Sequence, residues 1–243
     1  MPIVERDKQF PRTNFLLAAL PDATYELLLP FLERVPLPFR EVLQEPNKLM
    51  PYVYFPLSGV VSQVVIMEDG TVVEVATIGN EGVVGLPIFW GGDTIPAQYF
   101  VQVPGEALRM SSQRFKELSR SVEQVRTMLE FYTQAIFVFV AQSAACNRTH
   151  SIKQRCARWL ITTQDRVGAD QFPLTQEFLG QMLGVRRAGV NEVATELQHD
   201  GLIDYNRGTI TITNRQGLEE QACECYHVIR NEFRRSFELM ERE

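Results

Sequence analysis

LTQEFLGQMLGVRRAGVNEVATELQHDGLI, residues 174–203, holds two short apolar-periodic segments around one glycine, with arginines just past the break. Two helices that meet at a steep angle need a small residue one turn into the first. They also need a residue at the turn that accepts a left-handed backbone. Gly180 and Gly184 stand at those two places. Leu179 and Leu183 then face inward from the first helix, and Val185, Val190 and Val193 from the second. Thr175 precedes the first helix as an N-cap, although Phe178 denies it a capping-box partner. The stretch reads as a helix-turn-helix.

The second helix, residues 186–198, carries Arg186, Arg187, Asn191 and Glu192 near its N-terminal end. That end meets base edges when such a helix enters a major groove. Arginine is the commonest partner of guanine, and asparagine can pair with adenine. LIDYNRGTITITN follows at once, and its Asn206-Arg207-Gly208 joins two short strands into a wing. The expected roles follow from position. Arg187 reads a base and Asn191 tunes a neighbouring one. Thr175, Gln176 and Arg207 position the backbone, and Arg186 serves either class. The chain has a formal net charge of −6, which disfavours indiscriminate nucleic-acid binding. Residues 150–215 are nearly neutral, with eight Lys/Arg against seven Asp/Glu, so a local basic face is still available.

Outward from this unit, residues 14–34 read as short helices broken by Pro21 and Pro30. YVYFP, VVSQVVIM, TVVEVATI and AQYFVQV are β-rich runs separated by turn residues. Asp69-Gly70 is a hairpin signal, and Pro46-Asn47 is another turn. Many short strands over residues 35–110 predict a jelly-roll-like β-roll. Next, Val122, Leu129, Ile136 and Ser143 recur every seven residues, as do Val125, Tyr132, Phe139 and Cys146. This heptad seam predicts a long helix that pairs with a second copy through Val122, Val125, Leu129, Tyr132, Ile136 and Phe139. Residues 147–150 break the pattern as a hinge. Residues 152–166 form another amphipathic helix that ends at Gly168, and residues 216–243 read as one final helix. The expected architecture is α+β. It has a β-roll sensor domain (1–120), a dimerisation helix with hinge (121–149) and a winged helix-turn-helix domain with a C-terminal helix (150–243).

A β-roll, a long dimer helix, a hinge and a winged helix-turn-helix, in that order, resemble the CRP/FNR superfamily of bacterial transcription regulators. The resemblance is most specific in LTQEFLGQMLGVRRAGVNEV with its GTITI wing, then in VYFPLSGVVS with the Asp-Gly hairpin. It implies a homodimer on a two-fold symmetric double-stranded DNA site, with signals passing from the roll through the long helix. RNA polymerase is a further candidate partner. In this family's recognition helix a Glu usually follows the Arg matching Arg187, with another Arg further along. Here Ala188 and Glu192 stand there, so the family's DNA sequence preference is not carried over.

The sensing chemistry departs as well. Cyclic-nucleotide members of the family hold the ribose with a Glu in a GELGL-like turn and the phosphate with an Arg-Ser pair. This chain has Gly85-Leu86-Pro87-Ile88-Phe89 and then Pro96-Ala97-Gln98. Between Glu41 and Pro104 the only cation is Lys48, and a buried phosphate needs charge-assisted donors. The expected protein is therefore a regulator that does not bind cyclic AMP. The alternatives are a cyclic-nucleotide-responsive regulator and a ligand-binding or interaction module with no DNA activity. Phe89, Trp90 and Tyr99 either line an apolar effector pocket in the roll or belong to its core. No effector is named by the sequence.

Iron–sulfur members of the family use an N-terminal cysteine cluster, but residues 1–145 contain no Cys. Residues 1–149 contain no His, which argues against haem ligation and against a cupin-type metal enzyme. Ser58 and Ser111-Ser112 have no nearby His to act as base, so an enzyme is not expected. Cys146, Cys156, Cys223 and Cys225 form no CxxC pair and no zinc spacing, and read as reduced thiols with no metal or cofactor. MPIVERDKQFPRTN lacks the apolar core of a secretion signal, and no apolar run is long enough to span a membrane. A cytoplasmic protein is expected.

Overall fold

β-Branched and aromatic residues drive the four β-rich runs between residues 52 and 103 into strands. The computed structural model describes residues 12–240, apart from the side chain of Arg187. Residues 1–11, most of the stretch read for a secretion signal, and residues 241–243 lie outside it. The chain enters through α1 (Phe15–Ala18) and α2 (Asp22–Leu28), separated at Pro21 as expected; Pro30 sits in a 3-10 turn after α2. The strands that follow are β1 (Glu33–Leu37), β2 (Val42–Gln44), β3 (Tyr52–Pro56), β4 (Val60–Ile66), β5 (Val72–Ile78), β6 (Gln98–Val103) and β7 (Gly105–Ser111). They pair antiparallel in two sheets, β1-β7-β3 and β2-β6-β4-β5, which enclose one apolar core. Gly70, at φ +81°, turns β4 into β5, and the Thr71 amide donates to Asp69 Oδ1 at 2.9 Å. Asn47 takes its expected positive φ.

Three strands lie outside the four β-rich runs. β1 carries Pro36, which an edge strand tolerates. β2 is three residues long. β7 contains Ala107, Leu108 and Met110, good helix formers, yet it is paired on both sides. Its place at the centre of a sheet overrides its propensity.

After α3 (Ser112–Ser121) comes α4 (Glu123–Thr149), the long helix predicted from the heptads. Its seam is not presented to a second copy. Leu129 is 0% and Tyr132 1% exposed, and Val125 and Phe139 are buried with them in the protomer's own core. Val122 and Ile136 are only partly buried and pack against the same core. The cover comes from α9 (Cys225–Met240), whose Phe233 ring sits 6.2 Å from Tyr132 and 6.4 Å from Phe139. The expected dimer interface is corrected on this physical ground: the stripe is already dry. What α4 leaves in solvent is a parallel stripe of Phe137, Val140 and Ala144, with half-buried Thr133 at its start. Phe137 is 74% exposed.

The C-terminal elements are α5 (Ile152–Val167), β8 (Gln171–Pro173), α6 (Gln176–Leu183), α7 (Arg187–His199), β9 (Ile203–Asn206), β10 (Thr209–Ile212), α8 (Arg215–Gln221) and then α9. The hinge is tighter than residues 147–150, because α4 continues to Thr149 and Ser151 already caps α5 in a capping box with Gln154. The expected single final helix is two, broken between Gln221 and Cys225. Among the described residues no helix is long and apolar enough to cross a membrane.

This module docks on the roll. Val60, Val64 and Val103 share an apolar cluster with Trp159, Leu179, Met182 and Leu183. Phe100 and Phe178 meet edge to face at 5.8 Å. Arg166 forms a buried ion pair with Glu81 at 2.8 Å and donates to Thr77 Oγ1. Trp159 Nε1 donates to Glu74 Oε1 at 2.9 Å, and Ser62 Oγ donates to Glu74 Oε2 at 2.9 Å.

Candidate nucleic-acid interface

The turn between α6 and α7 is built as its residues require. Gly184 sits at φ +63°, and the Val185 amide donates to the Gly180 carbonyl at 2.9 Å. A side chain with a Cβ would be strained at that φ. Thr175 Oγ1 caps α6 by accepting from the Phe178 amide at 3.2 Å. Leu179, Gly180 and Leu183 are buried on one helix, and Val190, Val193, Ala194 and Leu197 on the other. Val185 is half-buried. The opposite face of α7, with Ala188, Asn191, Glu192 and Thr195, is exposed.

The wing is a two-residue hairpin. Arg207 at φ +49° and Gly208 at φ +80° form its turn, the backbone that a tight hairpin of this twist demands. A third strand, β8, pairs with β10 and was not anticipated from sequence. It ties the wing to the start of α6. The Leu174 amide donates to the Gly208 carbonyl at 2.8 Å, and Tyr205 Oη donates to the Leu174 carbonyl at 2.9 Å.

These contacts gather the predicted residues. Thr175 and Gln176 open α6 beside the wing tip. Gln176 Nε2 donates to Asn191 Oδ1 at 3.0 Å, which joins the first helix to the exposed face of the second. Arg207 is exposed at the wing turn. Arg186 is exposed but not helical: it is the extended N-cap of α7, one residue before the place assigned to it. Arg187 is the first residue of α7, and its side chain lies outside what the structure describes.

The other basic groups of this module are engaged in holding it together. Lys153 pairs with Asp200 at 2.9 Å and Glu196 at 3.5 Å, fixing α5 to α7, and its hydrogen bond holds the Asp200 carboxyl below its ordinary pKa. Arg155 donates to the Leu183 carbonyl at the end of α6. Arg158 and Arg166 are buried. Arg215 pairs with Asp165 at 2.6 Å. Among the described side chains of this unit, Arg186 and Arg207 are the exposed cations at the start of α7 and at the wing turn.

Phe89, Trp90 and Tyr99 do not converge on one pocket. Tyr99 is buried inside the roll, and Phe89 packs against the same core. Trp90 is 63% exposed, its ring 4.6 Å from that of Phe89. Of the two readings of these residues, Phe89 and Tyr99 fit the core and Trp90 is a surface ring. A cleft of about 500 Å³ opens elsewhere, between Glu81 of the roll, Arg166 of α5, and Tyr226, Arg230 and Phe233 of α9. The cysteines also depart from expectation. Cys156 is alone and buried, but Cys146, Cys223 and Cys225 come together with His150. Local spacing does not reveal that grouping, since the helix break around Cys223 contains neither Gly nor Pro.

A family model described as a cyclic nucleotide-binding domain matches residues 34–121, and one described as a Crp-like helix-turn-helix domain matches residues 154–221. No curated protein matches the chain in sequence. Among solved structures, the chain is similar to the c-di-GMP-responsive global regulator CLP of Xanthomonas campestris. Identity is 19% and the TM-score 0.65, over 79% of this chain and 99% of that one. It is similar to FixK2 of Bradyrhizobium japonicum at 18% identity and a TM-score of 0.66, over 79% and 98% of the two chains. A CRP-family transcriptional regulator of Thermus thermophilus gives 14% and 0.66, over 77% and 96%. At these identities the structural likeness speaks to the fold, while the two family models speak to its modules. A cyclic-nucleotide-binding-type roll followed by a long helix and a Crp-like DNA-binding module places the chain in one lineage: it belongs to the CRP/FNR superfamily of transcription regulators.

Proposed function

We propose that the protein is a homodimeric regulator that reads a two-fold symmetric DNA site, and that its roll responds to something other than cyclic AMP. The observation that carries the DNA reading is the gathering of Thr175, Gln176, Asn191 and Arg207 around the exposed face of α7. In this reading Arg187 contacts a base edge and Asn191 tunes the next. Thr175, Gln176 and Arg207 hold the phosphates, and Arg186 at the N-cap joins them. The functional division follows: a sensor to residue 120, a dimer helix to 149, and a DNA-binding unit beyond. RNA polymerase and the cytoplasm, where a regulator meets its promoters, complete the assignment.

The second copy is assigned to the exposed stripe of α4. Thr133, Phe137, Val140 and Ala144 follow a 4-3-4 spacing, the seam of a paired helix. An exposed Phe at the centre of such a stripe gains from burial against its symmetry mate.

The lack of a buried cation among the described residues of the roll supports the part of this reading that concerns cyclic AMP. Among the described residues before α3 no Lys or Arg is buried, and the buried Glu81 already pairs with Arg166. Millimolar cyclic AMP should therefore leave the melting temperature unchanged, because only a ligand that binds the folded state raises it. A saturable thermal shift would overturn this part of the reading.

The DNA assignment is tested by gel shifts at several salt concentrations. Wild type should lose affinity steeply as salt rises, since each phosphate contact releases counterions. Arg207→Ala should weaken binding to all sequences alike and flatten the slope by about one per subunit. A slope unchanged by that substitution would remove Arg207 from the phosphates. A wild type with no DNA affinity at low salt would favour an interaction module instead.

A further inference from the structure

Two segments far apart in the chain meet at the hinge end of α4. Cys146 lies in its last turn and His150 is its C-cap, while Cys223 lies in the break before α9 and Cys225 begins that helix. Three thiol sulfurs and one imidazole nitrogen all lie within 4.8 Å of one another. Cys146 Sγ is 3.5 Å from Cys223 Sγ, and Cys225 Sγ is 3.6 Å from His150 Nδ1. An ion with Zn–S bonds of about 2.3 Å and a Zn–N bond of about 2.0–2.1 Å holds tetrahedral sulfurs roughly 3.8 Å apart and a sulfur and a nitrogen roughly 3.6 Å apart. The measured S···N separation matches, and the S···S separation lies within about 0.3 Å of its value.

We propose that Cys146, His150, Cys223 and Cys225 form a structural metal site for a zinc-class divalent ion, which clamps the start of α9 to the hinge end of α4. The donor set is soft, and it supplies all four positions of a tetrahedron. This is the character of a closed structural site rather than of a catalytic one with an open position.

The surroundings are those of a metal centre. Glu224 Oε2 lies 3.1 Å from His150 Nε2, so the outer nitrogen faces a carboxylate and Nδ1 is turned to the thiols. That carboxylate–histidine arrangement fixes the ring of a metal ligand. Gln142 Nε2 donates to Cys225 Sγ at 3.1 Å, a bond that suits a thiolate. Arg155 and Arg158 have buried Nε atoms with no hydrogen-bond partner among the described residues. A divalent ion with three thiolates carries one net negative charge, which these guanidinium groups offset. On binding, the thiol protons pass to solvent.

The site is independent of the DNA reading, and so is its test. The full chain, purified with reductant and stripped of metal, is titrated with Co²⁺ and followed by visible absorption. Wild type should develop the intense bands of tetrahedral thiolate-bound cobalt, saturate at about one ion per chain, and lose them on adding Zn²⁺. Cys223→Ser should lose those bands. Glu224→Gln changes an exposed side chain that is no ligand, so it should fold and keep the bands, with affinity weakened about 10–100-fold. Cys156→Ala should behave as wild type. A folded, reduced wild type that develops no thiolate–cobalt bands would overturn the proposal. So would a Cys223→Ser protein that keeps them unchanged.

Discussion

Replacing Phe137 and Val140 together with glutamate should turn the dimer into a folded monomer. Both side chains stand on the exposed stripe of α4, Phe137 at 74% and Val140 at 39% exposure, so charges there cost the lone protomer little. In the dimer the same charges would be buried against their own symmetry mates. Uncompensated charge in an apolar contact costs about 3–5 kcal/mol, a weakening of a thousandfold or so in dimer affinity. Sedimentation velocity reads the outcome, and the thermal melt should persist. Leu129→Glu makes the contrast. Leu129 is wholly buried inside the protomer, so that change should lower the melting temperature or prevent folding rather than simply part the chains. If the Phe137/Val140 variant sediments as the same dimer, the stripe is not the interface.

Wild type should lose stability as pH rises from about 4.5 to about 7, and Glu74→Gln should lose much less. Burial where α5 docks on the roll pushes the Glu74 carboxyl up to about 7, against the hydrogen bonds from Trp159 and Ser62 that favour its charged form. The folded state therefore keeps a proton that the unfolded chain releases. Across that window the native state binds more protons than the unfolded state, so raising pH favours unfolding. Above the folded pKa the loss is complete. The shift corresponds to roughly 3 kcal/mol, or about 6–12 °C in a domain of this size. Glutamine copies the protonated side chain and should be the more stable protein at pH 8. Parallel pH profiles of melting temperature for the two proteins would refute the assignment.

The helix-turn-helix was legible because its demands are local. Gly180 and Gly184 answer backbone geometry, and the inward valines and leucines follow one period. The four β-rich runs were legible for the same reason. What escaped depends on distant partners. β7 looks helical until β1 and β3 flank it, and β8 is three residues that mean nothing without β10. The heptads of α4 correctly marked a buried stripe. Periodicity reports that a face is dry but not what dries it, and here α9 does. The break between α8 and α9 carried no Gly or Pro, so the seam's cover and the cysteine cluster were missed together. Of the candidate DNA residues, Arg186 moved from helix to N-cap, because α7 begins one residue later than the pattern suggested.

Selection of binding sites from a random DNA pool, with wild type and Arg187→Ala side by side, tests the DNA reading most directly. Wild type should recover a two-fold symmetric sequence with half-sites about one helical turn, roughly 10–10.5 bp, apart. Arg187→Ala should keep that spacing and relax preference at one base pair in each half-site, at a cost of about 1–3 kcal/mol per contact. Identical sequence preferences from the two proteins would contradict base reading by Arg187, and a wild type that enriches no symmetric sequence would contradict the account as a whole.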